Sequence, residues 1–130
     1  MPPFESAHRD KRLWSAITHE IAGWYVRYGF NPYTLQTDAI WQSRTIPDHI
    51  GYELAFYTAL LSSDSTEGDC SDFYAQHIAV WMPSYADQLI QKARTSFYRT
   101  LGEMTRWVIL EQGTANGGSA TCAEFYPEGR

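Results

Sequence analysis

The spacing of apolar residues is the feature that most constrains how this chain can fold. Along most of the sequence these residues recur at intervals of three and four, which gathers them on one face of an α-helix. No stretch alternates apolar and polar residues for long enough to predict a sheet. At 130 residues the chain is one domain at most, with a modest core. We therefore predict an all-α fold, a helical bundle of about five helices.

Helix-ending residues set the predicted boundaries. Gly29 stands where a left-handed C-terminal cap belongs, and Asn31-Pro32 ends any continuation. Asp48 follows a proline and can accept hydrogen bonds from the free N–H groups of a first helical turn, so we predict it as an N-cap. Pro83 breaks or kinks a later helix. The predicted helices are Arg9–Tyr28, Asp48–Leu61, Ser71–Met82, Ser84–Ala93 and Thr95–Gln112.

Three of these helices carry apolar stripes that should face the core. The stripes are Leu13, Ile17, Ile21, Trp24 and Tyr28 in the first helix, Ile50, Leu54, Tyr57 and Leu61 in the second, and Phe97, Leu101, Met104 and Val108 in the last. Residues 31–46 form a predicted long loop, a kind of segment that is often functional. Residues 114–130 lack periodicity, which predicts a disordered tail after a helical domain of residues 1–113.

The distribution of charge narrows the class of partner. The formal net charge is −5, which argues against general binding of nucleic acid because phosphates need Lys and Arg. No Lys or Arg occurs between Thr45 and Gln91, a segment that should attract a cationic partner. A solvated acidic face that keeps the protein soluble is the alternative explanation. The carboxylates of this segment are Asp48, Glu53, Asp64, Glu67, Asp69, Asp72 and Asp87.

Targeting signals and cysteine usage point to the cytoplasm. No apolar run approaches the length that spans a membrane, and the N-terminus has no basic region followed by an apolar stretch. Cys70 and Cys122 have neither the spacing of metal ligands nor the number that a disulfide framework needs. A cytoplasmic protein with reduced thiols is the simplest interpretation.

The segment Ile46-Pro-Asp-His-Ile-Gly-Tyr-Glu-Leu54 leaves four interpretations open. His49 and Glu53 lie four residues apart and share one helix face, with Asp48 at the start. They could form a proton-transfer pair, half of a metal site, a recognition surface or a well-capped helix end. A metal site would need His77 as a further ligand, and no His-Glu-x-x-His motif or cysteine pair supports one. The competing enzyme hypothesis is a small helical metal-dependent hydrolase that uses His49, Glu53 and His77.

Four segments carry a resemblance to a known family. Residues 46–54 contain an Asp-His-x-x-x-Glu pattern, and Phe73–Tyr85 contains His-x-x-x-Trp-x-Pro-x-Tyr. The structural alternative for the second motif is that His77 and Trp81 simply pack in the core. Phe4–His8 looks like a Glu-Ser turn, and Thr95–Leu101 looks like the start of a last long helix. In this order they make the chain, from about Pro3 to Gln112, resemble the TorD/DmsD/NarJ family of cytoplasmic chaperones for molybdenum-containing oxidoreductases.

The resemblance implies a binding protein and not an enzyme, with no cofactor and no metal. Its expected partner is the twin-arginine signal peptide of a molybdoenzyme subunit, or the apo-enzyme itself, which it would hold back from export until the cofactor is inserted. Apolar residues of the signal would lie in an aromatic groove, while its arginines would meet carboxylates. The client-binding residues implied in this way are Asp48, His49, Glu53, His77, Trp81 and Tyr85.

One departure from the family pattern concerns the N-terminal side of the chain. Family members usually carry several helices before the Glu-Ser turn, so we expect a TorD-like bundle that lacks those helices. The faces of Arg9–Tyr28 and Asp48–Leu61 would then be exposed and in need of cover. A homodimer would supply this cover, and the resemblance implies a domain-swapped form that exchanges halves at a hinge near residues 44–49.

Overall fold

The fold is all-α, as predicted. The computed structural model describes residues 2–35, 46–63 and 67–117, and among these residues it contains no β-strand. A 3-10 helix at Pro32–Leu35 and a π-helical turn at Tyr74–Ile78 accompany the α-helices. The α-helices are α1 (Glu5–Arg9), α2 (Ala16–Arg27), α3 (Ile50–Leu61), α4 (Glu67–Phe73), α5 (Met82–Lys92) and α6 (Ser96–Gly117).

The chain divides into two compact units, Met1–Thr58 and Ala59–Arg130. Helix α6 continues to Gly117, beyond the predicted end at Gln112. Most of the predicted disordered tail, residues 118–130, lies outside the described residues, as do residues 44 and 45 of the predicted hinge. The helical domain of residues 1–113 with its tail and hinge therefore stays a prediction.

The first predicted helix, Arg9–Tyr28, begins too early, because Arg9 is the last residue of α1 and α2 begins only at Ala16. Backbone φ angles of 59° at Lys11 and 58° at Trp14 lie in the left-handed region, which cannot continue an α-helix. Helix α2 then restarts at a capping box, in which the Ser15 hydroxyl accepts from the Ile17 N–H at 3.2 Å and Thr18 Oγ1 accepts from the Ser15 N–H. Because Leu13 falls in this break, it is 43% exposed and not part of the core.

The C-terminus of α2 has the predicted glycine cap. Gly29 has a φ of 66°, a conformation that glycine adopts without steric cost. Its N–H donates to the Val26 carbonyl at 3.2 Å, and the Phe30 N–H donates to the Tyr25 carbonyl at 2.8 Å, which together form a Schellman motif. The chain therefore leaves α2 in a defined direction and brings Phe30 back toward the core.

Phe56 of α3 is the centre of the first unit's core. It is 1% exposed, and its ring lies 5.0 Å from that of Tyr25, 5.4 Å from Phe30 and 6.4 Å from Trp24, measured between centroids. Aromatic pairs at these distances stabilise a core by about 0.5–1.5 kcal/mol each beyond their buried area. The predicted stripe of α3 is partly wrong, because Ile50 and Leu54 are only half-buried while Tyr52 and Phe56 are buried. The near-continuous apolar sequence of α3 hides which face is inward.

The second unit is built on close packing of α5 and α6. A methyl group at Gly102 would lie 2.9 Å from Cγ1 of Ile90 and 3.2 Å from the Ala86 carbonyl oxygen, so the two helices touch at this glycine. Pro83 lies in the first turn of α5, where its missing N–H costs nothing, so it opens a helix there. The Tyr74 hydroxyl donates to the Ile109 carbonyl at 2.7 Å and ties the π-helical turn to α6.

Two further predictions for this unit are wrong. Cys70 is buried and disulfide-bonded, whereas the sequence predicted reduced thiols; Cys122 lies outside the described residues. The stripe of the last helix is exposed, because the side of α6 that packs inward carries Gly102 and Ile109 instead. The exposed fractions are 68% for Phe97, 42% for Leu101, 60% for Met104 and 43% for Val108.

Candidate functional site

Asp48 joins the N-terminal segment to the start of α3. Its Oδ2 accepts a hydrogen bond of 2.6 Å from the Ser6 N–H, and its carbonyl accepts from the Glu5 N–H at 3.1 Å. The Ile50 N–H donates to the Pro3 carbonyl at 2.9 Å, and Phe4 pairs with His49 in an isolated antiparallel bridge. A carboxylate that accepts from a first-turn N–H satisfies a donor which the helix itself cannot. Asp48 therefore caps a helix N-terminus, as predicted, but that helix is α1 and not the helix that follows Asp48 in the sequence.

His49 takes the capping role that the sequence assigned to Asp48. Helix α3 begins at Ile50, and the Nδ1 atom of His49 accepts from the Gly51 N–H at 3.0 Å. Burial lowers the pKa of His49 below its ordinary value of 6.5, and the neighbouring Asp48 carboxylate opposes that shift. The neutral ring is therefore favoured, as the acceptor role of Nδ1 requires.

Three carboxylates are buried in the first unit. Glu5, Asp48 and Glu53 are each 0% exposed. Glu5 is paired with the Arg9 guanidinium at 2.6 Å, while Asp48 Oδ1 has no hydrogen-bond partner among the residues that the structure describes. Buried charge without full compensation is costly, so its presence calls for an explanation other than fold stability alone.

Tyr25 is a buried phenol on which the charge of these carboxylates acts. Its hydroxyl donates to the Pro47 carbonyl at 2.9 Å. Burial raises the pKa of Tyr25, and the carboxylates of Glu53, Asp48 and Glu5 raise it further. All three acids therefore project negative potential onto this one phenol, which stays protonated and able to donate.

A pocket of about 280 Å³ opens beside Tyr25, and we call it the Tyr25 pocket. It lies where the end of α2, its glycine-capped turn and the residue before Asp48 come together. Apolar and aromatic walls suit an apolar side chain, and the buried carboxylates whose charge acts on Tyr25 favour a nearby cation. The lining residues are Ala22, Tyr25, Val26, Phe30, Asn31, Pro32, Tyr33 and Pro47.

The other predicted site residues lie in the second unit. His77 is in the π-helical turn, where the Ala79 N–H donates to the Tyr74 carbonyl at 2.8 Å. Trp81 Nε1 donates to the His77 carbonyl at 2.8 Å, and the Trp81 and Tyr85 ring centroids are 5.6 Å apart. Insertions of this π type are frequent at functional sites.

Burial separates the six predicted residues into two groups. Asp48, Glu53, His77 and Trp81 are all 0% exposed, whereas His49 and Tyr85 are half-buried and can be touched from outside. Asp48, His49 and Glu53 belong to the first unit; His77, Trp81 and Tyr85 belong to the second. Within the described ranges, no three His, Cys, Asp or Glu side chains are grouped as ligands for a metal.

Sequence reasoning missed Glu5, Ser6 and the Tyr25 pocket as parts of the site. The Glu-Ser turn was recognised only as a sequence landmark, and its contact with Asp48 spans 42 residues of chain. The sequence does contain a sign of the pocket. It places more aromatic side chains near the end of one helix than that helix end needs for its own packing, in the cluster Trp24-Tyr25…Phe30…Pro32-Tyr33. Nothing in the spacing says that Pro47 closes the same pocket.

Comparison with known proteins identifies the family. The family model described as the nitrate reductase delta subunit matches residues 1–87, which include every predicted site residue and the whole Tyr25 pocket. No solved structure matches the chain. None of the described helices is long and apolar enough to cross a membrane. The match confirms the resemblance found in the sequence, and the chain belongs to the nitrate reductase delta subunit family, whose members are non-catalytic chaperones in the maturation of molybdoenzymes.

Proposed function

We propose that this protein binds the twin-arginine signal peptide, the apo form, or both, of a molybdenum-cofactor oxidoreductase subunit in the cytoplasm, before cofactor insertion and export. The observation that carries the proposal is the Tyr25 pocket, an apolar pocket whose lining residue Tyr25 lies in the field of three buried carboxylates, within the segment that matches the family. A twin-arginine signal pairs a basic group with an apolar helix, so it needs both features close together.

The pocket would take an apolar side chain of the signal. Val26 and Tyr33 line its rim, and Val26 is 81% exposed, so burial of this side chain by a ligand removes apolar surface from water. Pockets of this kind bind through apolar contact and use a few polar groups to set orientation. Asn31 is a polar residue of that kind in the lining, and the Tyr25 hydroxyl holds the Pro47 wall in place through its hydrogen bond to the Pro47 carbonyl.

The carboxylates would act mainly through their potential. Asp48 and Glu53 are buried, so a client arginine attracted to them would first meet the half-buried His49 ring and the pocket rim. Negative potential in a poorly solvated site raises the local concentration of cations and speeds association. The attraction is screened over about 8–10 Å at 0.1–0.15 M ionic strength, so client affinity should fall as salt rises.

Residues of the second unit would also contact or support the client. Tyr85 is half-buried and stacks against Trp81, while His77 supports Trp81 through its carbonyl. In this proposal Tyr85 contacts the client, and His77 and Trp81 hold the Tyr85 side chain in position. A homodimer of the chain also forms part of the proposal.

Calorimetric titration with a panel of synthetic signal peptides tests the proposal. Peptides with an intact Arg pair should bind, and the same peptides with Lys in place of Arg should bind more weakly, because Lys lacks the planar fork of donors. Val26→Arg should weaken binding about tenfold or more, since it fills the pocket rim and adds a cation next to the bound cations.

Leu13→Arg is the matched control. Leu13 is an exposed apolar side chain of the same unit that does not line the pocket, so the same change of charge should leave affinity within about twofold of wild type. Absence of binding by every peptide, or equal losses in both variants, would contradict the proposal.

A further inference from the structure

Most of the exposed large apolar side chains among the described residues lie on α6. Phe97, Leu101, Met104 and Val108 follow one another at intervals of four, three and four residues, and we call these residues the α6 stripe. That spacing is the a/d pattern of a two-helix seam, which pairs with a second helix. A shallow groove of about 410 Å³ runs along its first half, lined by Phe97, Leu101, Met104 and their neighbours Ser96 and Thr100.

Packing among the described residues of the second unit leaves this stripe uncovered. Gly102 and Ile109 face the other way, toward Ile90 and the Tyr74 hydroxyl. Two large aromatic side chains flank the stripe, with Tyr98 53% and Trp107 64% exposed. An exposed apolar face of this extent is typical of an interaction site and not of a solvated helix surface.

The charges at the two ends of the stripe select its partner. Arg94 lies just before the first stripe residue, and Glu111 lies three positions after the last; both are exposed. A cationic signal peptide complements only the Glu111 end of the stripe and meets Arg94 and Arg99 at the other end. A second copy of α6 laid antiparallel instead brings Arg94 of one chain to Glu111 of the other, at both ends, and also aligns the helix dipoles favourably.

The apolar residues obey the same two-fold symmetry. The midpoint between Arg94 and Glu111 in the sequence is also the midpoint between Phe97 and Val108, and between Leu101 and Met104. An antiparallel copy centred there sets the large Phe97 ring against the smaller Val108, and Leu101 against Met104. A two-fold interface requires that each contact be repeated in reverse, and this pattern satisfies that requirement.

We propose that the chain forms a two-fold symmetric homodimer in which the α6 stripe of one copy packs antiparallel against the α6 stripe of the other. This inference assigns a surface to the homodimer of the proposed function. It does not depend on client binding, because the stripe and the Tyr25 pocket share no residue.

Sedimentation equilibrium of the full chain over about two decades of concentration tests the interface. Wild type should show a reversible monomer–dimer equilibrium. Met104→Glu places two carboxylates at the centre of the seam and should raise the dimer dissociation constant about tenfold or more. Val80→Glu is the control, because Val80 is 47% exposed in the same unit but lies outside α6; it should leave the equilibrium unchanged.

A charge exchange identifies the antiparallel register. Arg94→Glu and Glu111→Arg each place like charges together and should weaken the dimer several-fold, while the double variant should restore it. Far-ultraviolet circular dichroism confirms that each variant keeps its helix. A monomeric wild type would overturn the proposal and leave the stripe to another segment or partner. A dimer that survives Met104→Glu would overturn it in favour of an exchange of halves.

Discussion

The segment around Asp48 and the exposed side of α6 depart from ordinary burial in opposite ways: one buries charged side chains and the other exposes apolar ones. The first buries charge, with Glu5, Asp48 and Glu53 all inaccessible to solvent. The second exposes apolar residues along about three turns of helix, although its 3-4 spacing is as regular as that of α2. Both arrangements cost free energy in an isolated chain. The comparison shows that local packing alone accounts for neither region, and that each needs a further interaction to offset its cost.

The two costs are met in different ways. The buried carboxylates are partly compensated within the chain, because Asp48 Oδ2 accepts from the Ser6 N–H and Glu5 pairs with Arg9. The α6 stripe has no such compensation among the described residues and needs a second surface. Variants in the first region should therefore change folding stability directly, and variants in the second should change assembly.

Asp48→Ala should have the largest effect on folding. It removes the acceptor of a 2.6 Å hydrogen bond from the Ser6 N–H, which is buried, so that donor is left unsatisfied. We expect a loss of about 1–3 kcal/mol in the free energy of unfolding, measured by urea titration. Asp48→Asn keeps an acceptor oxygen and should lose less.

Asp87→Ala is the control for that measurement. Asp87 pairs with Arg106 at 2.9 Å, but both side chains are about half exposed, at 50% and 49%. Exposed pairs contribute about 0–1 kcal/mol, so this variant should stay close to wild type. Equal losses from Asp48→Ala and Asp87→Ala would show that the buried carboxylate has no special structural role.

Gly102→Ala should destabilise the helix pair that presents the α6 stripe. The added methyl group would lie 2.9 Å from Ile90 Cγ1 and 3.2 Å from a backbone oxygen, and overpacking of this kind costs about 1–3 kcal/mol. Gly23→Ala is the opposite case, because nothing lies within 4 Å and the site is an exposed helix interior; it should stabilise by about 0.5–1 kcal/mol. Urea titration of both variants measures the contrast, and stabilisation by Gly102→Ala would contradict the close packing of α5 and α6.

The smallest expected effect is a pH dependence at His49. Because burial lowers its pKa in the folded state, the unfolded chain binds more protons in the interval between that lowered pKa and 6.5. Stability should therefore fall as the pH falls below about 6.5. His49→Asn keeps an acceptor for the Gly51 N–H but does not titrate, so its stability should depend less on pH. His8, whose pKa burial also lowers, leaves a residual slope in both proteins, and identical slopes would contradict the assignment.

The sequence predicted helices well where local chemistry decides them. The predicted cap forms at Gly29, and the predicted core positions of α2 are buried at Ile17, Ile21 and Trp24. Caps and periodicity depend only on residues a few positions apart, so the sequence shows them directly. The α6 stripe was wrongly assigned to the core, since spacing identifies a face without saying what covers it. The break before Ser15 was missed because the apolar pattern runs through it.

The site could be predicted only in outline. The segment around His49 was identified correctly as a capped helix start, but Asp48 caps α1, a partner that is 42 residues away in sequence. A contact between residues so far apart in the chain produces no periodic pattern in the sequence. The Tyr25 pocket was missed for the same reason, because Pro47 and Phe30 meet there through the tertiary fold alone.

Hydrogen–deuterium exchange with and without a signal peptide, at one fixed protein concentration, tests the central claim that the client binds the first region and the second copy binds the α6 stripe. We predict that the peptide slows exchange in residues 22–33 and 46–53 and leaves residues 97–108 unchanged. Slower exchange confined to residues 97–108, with residues 22–33 and 46–53 unaffected, would contradict the account, because the exposed stripe and not the carboxylate-backed pocket would then be the client site.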